Sequence, residues 1–212
     1  MVSLQSVLGQ YRNRGVAVSG IQTLRTLIYI PIVHSQEDMG SLGPRLPASH
    51  VYRGLAHAGW ADIQRRVRSL RLDWPSVNVY QDGLPHAGPE IARKILAEVE
   101  SPNYDLLRWL VAQGAALVGT ESPTLMKEEY GHLQTVLTAA DAAAKARARR
   151  IYAERAGALL AERDAYIARR IADTLPHGAT GLLFIGRAHR VAEHLPADIT
   201  VRDLLWAHHN LR

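Results

Sequence analysis

Four short apolar runs punctuate the chain: Leu24–Val33, Val77–Gln81, Ala115–Gly119 and Gly181–Gly186. Each is rich in Val, Ile, Leu and Tyr, the composition of a strand covered on both faces. Longer stretches with helical spacing lie between them. Pro89–Val99 opens on a proline, which suits a first helical turn, and Tyr104–Ala112 repeats Leu106, Leu107, Leu110 and Val111 before Gly114, a C-cap candidate. Ser101-Pro102-Asn103 would join these two helices. From Thr124 to Leu175 the pattern is helical and free of proline, long enough for two or three helices. Strands alternating with helices predict an α/β fold with a mainly parallel central sheet of about four to five strands, because parallel neighbours need long crossovers. The tail from Asp198 to Arg202 could add a short strand. Residues 1–20 are weakly patterned and read as an arm or lead-in helix, which leaves 21–212 as a single domain.

Composition changes this picture little. A chain of 212 residues with 47% hydrophobic content can build one sizeable core. The longest apolar run, around Leu27–Val33, is far short of the roughly 20 residues of a membrane span, so no membrane partner is expected. The opening residues place their basic groups after the short apolar patch and show no small-residue cleavage site, so a cytoplasmic location is expected. Without cysteine there is no thiol catalysis, and any metal must be held by His, Asp or Glu. The net charge of +5 raises the question of nucleic acid. Its basic clusters, Arg65/Arg66/Arg68/Arg71 and Lys145/Arg147/Arg149/Arg150/Arg155, fall on amphipathic helical segments and read as solvated faces, which makes a nucleic-acid partner unlikely on composition.

Ligands of open parallel sheets bind beyond the carboxyl ends of the strands, so the residues after each run matter most. The first run leads into His34, Asp38 and Ser41, and the second ends in Gln81 followed by Asp82-Gly83. The third is followed by Glu121-Ser122, and the fourth by Arg187-Ala188-His189. Taken singly, these residues have structural explanations: a satisfied histidine, helix caps at Asp38, Ser41, Ser122 or Thr124, a turn at Asp82-Gly83. Four loops delivering acid/base groups to one edge favour a site. His34, Glu121 and His189 could ligate Zn²⁺, Mn²⁺ or a similar divalent ion, with Asp38 or Asp82 completing or orienting the set. Without metal, His34 could be a general base, Glu121 could fix its tautomer, and His189 or Arg187 could stabilise an oxyanion. Asp38, Gln81, Asp82, Arg187 and Tyr166 are candidate substrate contacts.

Farther along, Arg163 and Tyr166 sit three apart beside an Ala165/Ala168/Ala172 stripe, and Arg163 could bind a carboxylate or phosphate. Neither GxGxxG nor GxxxxGK[ST] occurs, which disfavours a Rossmann or P-loop enzyme. His208-His209 read as exposed tail residues. Trp109 and Trp206 could serve a homo-oligomer interface or the core.

The pattern Arg163-Asp164-Ala165-Tyr166-Ile167-Ala168, followed by Gly181–Gly186 and Arg187-Ala188-His189, resembles the TraB/Tiki and erythromycin-esterase-like superfamily. The likeness is strongest over Arg163–His189 and weaker over Ile28–Glu121. It implies a compact parallel-sheet core and, in some members, metal-dependent peptide cleavage or ester hydrolysis. A related branch binds haem. The resemblance matches His34 and His189 to paired histidines, with Glu121 as an acidic partner. Pro31 stands where members commonly begin the first motif with glycine, and the acidic position after the second strand is held by Gln81 or displaced to Asp82. The expected function is water activation on an ester or amide of a small molecule or peptide; the alternative is a small-ligand or haem-binding protein using the same crevice.

Overall fold

The structure is a computed structural model that describes Leu24–His34, Asp38 and His50–Leu211, with side chains of the first helix described from Gly59 onward. The expected N-terminal arm and Ser41 lie outside the described residues. The strands are β1 (Arg25–Ile32), β2 (Asn78–Gln81), β3 (Ala116–Val118), β4 (Thr180–Gly186) and β5 (Ile199–Asp203). They form one sheet in the order β3-β2-β4-β1-β5, and every pairing is parallel. The helices are α1 (His50–Arg68), α2 (Pro89–Glu98), α3 (Pro102–Ala112), α4 (Pro123–Leu137), α5 (Ala142–Thr174) and α6 (Leu204–Asn210).

Alternation along the buried strands covers both faces of the sheet. Ile28, Ile30, Val79, Leu182 and Phe184 face a core completed by Trp60, Val67 and Leu106. Leu27, Tyr80, Leu183 and Ile185 face the other way and meet Ile167, Ala168 and Ile171 of α5. Ala168 of the expected small-residue stripe is buried there, while Ala165 and Ala172 are half-buried. Arg25 anchors the start of β1: its guanidinium pairs with Asp198 at 2.8 Å and donates to the carbonyls of Ala172 and Leu175 at the end of α5.

Pro31 lies inside a strand with neighbours on both sides, a position normally closed to proline because the ladder needs its N–H. Its position in the register resolves this. Arg25 N–H points to Asp198 on the β5 side and Thr26 N–H to Ala179 on the β4 side, so odd-numbered positions of β1 face β5. The β5 pairing ends at Tyr29↔Asp203, before Pro31 is reached. No bond is lost.

The third expected strand is shorter than its apolar run, at three residues, because the chain turns to dock on the loop after β2. Leu84 O accepts from both Thr120 N and Glu121 N, and a Cβ at Gly119 would stand 2.8 Å from Pro85 O. The long helical stretch resolves into two helices, with Ser122 capping α4 and Asp141 capping α5. Gly114, at φ +100°, follows the last turn of α3 as expected. The tail carries the expected strand and then α6, which the sequence pattern had not announced; Asp203 caps it and Leu204 and Ala207 bury it.

Candidate acid–base site at the carboxyl edge of the sheet

Because all five strands run the same way, the residues after β1, β2, β3 and β4 emerge along one edge. Asp82 is at the centre of what they build. Its Oδ2 accepts from Gly186 N–H at 2.9 Å, lies 2.9 Å from His34 Nε2 and 3.5 Å from His189 Nε2, while Oδ1 accepts from Arg163 Nη2 at 3.0 Å. The other nitrogen of His189, Nδ1, is 2.5 Å from Asp164 Oδ1, and Asp164 Oδ2 accepts from Arg190 N–H at 2.8 Å. A chain of contacts therefore runs Asp164, His189, Asp82, His34. Gly186 permits it, since a Cβ there would stand 2.9 Å from Asp82 Oδ2 and 3.3 Å from His34 Nε2.

Arg163 anchors the other side of the cluster. It donates to both oxygens of Glu121, to Asp82 and to Glu129. Its partners are three carboxylates of the protein itself, which surround a side chain that is 10% exposed, so the cluster is not a surface salt bridge. Burial opposes the charge of Arg163, but the Glu121 hydrogen bond and the charges of Glu121, Asp82 and Glu129 outweigh it and keep the guanidinium protonated.

The same balance decides the neighbours. Burial works against a charged His34, yet the hydrogen bond to Asp82 and the charges of Asp82 and Asp38 prevail over it and over Arg163, so its pKa is raised. Burial would raise Asp82, but His34, His189 and Arg163 together hold it well below the usual carboxylate range. Burial pushes Glu121 above that range, with Asp82 adding to it, against the bonds and charge of Arg163.

The cluster forms the polar end of a cavity of about 620 Å³. His34, Asp38, Gln81, Asp82, Arg163, Arg187 and His189 all line it, whereas Glu121 sits behind Arg163, with its side chain fully buried, and is not part of the wall. Arg187 is exposed at the mouth. Asp38 accepts the Ser101 hydroxyl at 2.6 Å. Tyr166 lies outside this wall, with its hydroxyl 2.9 Å from His86 Nδ1. Trp109 stacks edge-on against Trp74, and Trp206, 36% exposed, carries Arg202 over its ring. Of the basic clusters, Arg65 and Arg66 close on Asp62, and Arg155 on Glu128 and Glu162.

Two pairings differ from those expected. Asp82, rather than Glu121, holds the imidazole of His34, and the ligand atoms that lie within 4.8 Å of one another belong to Asp82, Glu121 and His189 rather than to a set containing His34. A divalent ion fits this second set poorly, because Arg163 already places one cation against the oxygens of both Asp82 and Glu121. Haem fits poorly as well: both nitrogens of His189 and Nε2 of His34 are turned to carboxylates instead of to the cavity. Asp164 and Glu129 completed the cluster without having been singled out. For Asp164 the signal was the Arg-Asp pair at 163 and 164.

No family model, curated protein or solved structure matches the chain, so the chemistry of the site rests on its own residues. Among the described residues no helix is long and apolar enough to cross a membrane.

Proposed function

We propose that the protein is a hydrolase that uses the His34–Asp82 pair, without a metal ion, to activate water against an ester or amide held in the cavity. The observation that carries this is the 2.9 Å contact between His34 and a buried, ionised Asp82 at the wall of a cavity large enough for a small molecule. A carboxylate behind an imidazole fixes its tautomer and stabilises the imidazolium that forms on proton uptake.

In this mechanism Nδ1 of His34, the ring nitrogen not turned to Asp82, takes a proton from water as the oxygen bonds to the acyl carbon. Arg187, an exposed residue of the cavity lining, supplies the charge that stabilises the resulting oxyanion. Collapse of the tetrahedral intermediate breaks the bond to the leaving alcohol or amine, which receives the proton from His34. His189 is a positioning residue: held by Asp164, it acts through Asp82. Glu121 acts further back, by fixing Arg163. The likeness of Arg163–His189 to TraB/Tiki and erythromycin-esterase-like proteins supports this reading, with the chain proposed as a divergent relative on those residues.

The test is turnover of a panel of aryl esters and anilides by chelator-treated protein. Wild-type activity should survive the chelator, and His34→Ala should lower kcat/KM by about 10²–10⁴, the range for losing a general base. Activity that the chelator abolishes and Zn²⁺ or Mn²⁺ restores would instead assign the chemistry to a metal on Asp82, Glu121 and His189. Equal turnover by His34→Ala would remove His34 from the reaction.

A further inference from the structure

Among the described residues, Asn103 and Gln81 of the cavity lining carry three buried polar atoms without a hydrogen-bond partner: Nδ2 and Oδ1 of Asn103, and Oε1 of Gln81. Both residues are fully buried, at 0% exposure. Such groups are normally satisfied, because a buried donor or acceptor without a partner loses its hydration and gains nothing back.

The surroundings of Asn103 show that its side chain has no capping duty. It occupies the first turn of α3, where Ser101 is the cap and accepts from Tyr104 N–H at 3.3 Å. Pro102 O takes Gln64 Nε2 at 2.7 Å, and Ser101 in turn donates to Asp38. The backbone carrying Asn103 is therefore tied on both sides. Gln81 is oriented too: its Nε2 donates to Asp82 O at 2.9 Å, which leaves Oε1 as the acceptor without a partner.

We infer that Asn103 and Gln81 form the recognition element of the cavity, and that its ligand carries an N–H donor beside a C=O acceptor on an apolar or aromatic body. One carboxamide offers a donor and an acceptor side by side, the complement of another amide edge. Gln81 Oε1 adds an acceptor for a further N–H. The rest of the cavity suits the apolar body, with Tyr104, Met126, Leu133, Tyr152 and Leu160 on its walls. Tyr104 is pushed up to about 12 by burial, with the Asp38 and Asp82 charges adding to it; Tyr152 is pushed up to about 12 by burial and by its bond to Glu129. Both therefore remain neutral phenols. A neutral aromatic amide matches both the amide atoms of Asn103 and Gln81 and this apolar part of the wall.

This inference rests on the proposed function only in taking the cavity as the substrate site, so binding is measured without turnover. The probes are benzamide and its isostere acetophenone, which keeps the carbonyl and replaces NH₂ by CH₃. Both are titrated into full-length protein by ligand-observed NMR. Benzamide should bind at least tenfold more tightly than acetophenone, since a polar site rejects an analogue that leaves its buried groups unpaired. Asn103→Leu should lose that preference while its melting temperature holds or rises, because the substitution removes an orphaned polar group. Asn103→Asp, which keeps the shape but not the donor, should also bind benzamide at least tenfold more weakly. Equal binding of the two probes by wild type, or unchanged benzamide binding in Asn103→Leu, overturns the inference. So does loss of binding with a lowered melting temperature in both variants, since Asn103 would then act through the fold. A failed hydrolysis panel leaves these results untouched, and these results leave the panel untouched.

Discussion

The middle and the carboxyl end of the sheet are equally buried and chemically opposite. Ile30 and Leu182 lie among aliphatic and aromatic side chains, while Gln81, Asp82, Glu121, Asp164 and Arg163 are removed from water almost as completely at the strand ends. Burial stabilises the first group by roughly 1.5–3 kcal/mol per large side chain. For the second it is a cost that ion pairing offsets only in part. A fold seeking stability alone would extend the aliphatic core to the edge. The strand ends instead concentrate charge around one carboxylate, the arrangement that the proposed acid–base chemistry would use.

The sharpest break in this comparison comes from Arg163, whose loss strands several carboxylates in the interior. Arg163→Met should lower unfolding free energy by about 3–5 kcal/mol in urea titrations, the cost of an uncompensated buried charge. Adding Glu121→Gln should recover part of it; additive losses would show that the pair is not coupled. Leu182→Ala, in the middle of β4, should cost about 2–5 kcal/mol through its cavity, yet leave the titration of His34 unchanged. Gly186→Ala should show the reverse emphasis. It costs about 1–3 kcal/mol as an overpacked position, but its Cβ would meet Asp82 and His34, so activity should fall far more than stability.

The subtlest effect is on pH. Folding raises the pKa of His34, so its contribution to stability is complete below its unfolded value of about 6.5 and fades as pH climbs through the folded value. Asp82 has the opposite sign: its contribution holds above about 3.9 and is lost as pH falls through its depressed folded value. Thermal melts of wild type and His34→Gln should therefore differ most between about pH 4 and 6.5 and converge toward alkaline pH. Turnover should move the other way, since a general base must be neutral to accept a proton.

Much of this was legible in the sequence. Strands covered on both faces advertise themselves as apolar runs, and parallel order follows from the helices between them, so the strand ends holding His34, Asp82 and His189 could be found by position alone. Partner choice could not. Whether Asp82 or Glu121 reaches His34 depends on the strand order β2-β4-β1, which inserts the last-made of these three strands between the other two. Arg163 read as a surface or ligand-binding cation because nothing in a helical pattern shows that Glu129, from a different helix, will turn toward it. Asn103 gave no signal, since an asparagine in a first helical turn looks like a capping residue.

The coupling of His34 to Asp82 is most directly measured by NMR titration of the His34 imidazole in wild type and Asp82→Asn. A midpoint above about 6.5 in wild type is expected. It should drop in the variant, where burial still opposes the charge and the carboxylate no longer supports it. A wild-type midpoint at or below the ordinary histidine value, unchanged by Asp82→Asn, would contradict the acid–base pair on which the proposed chemistry depends.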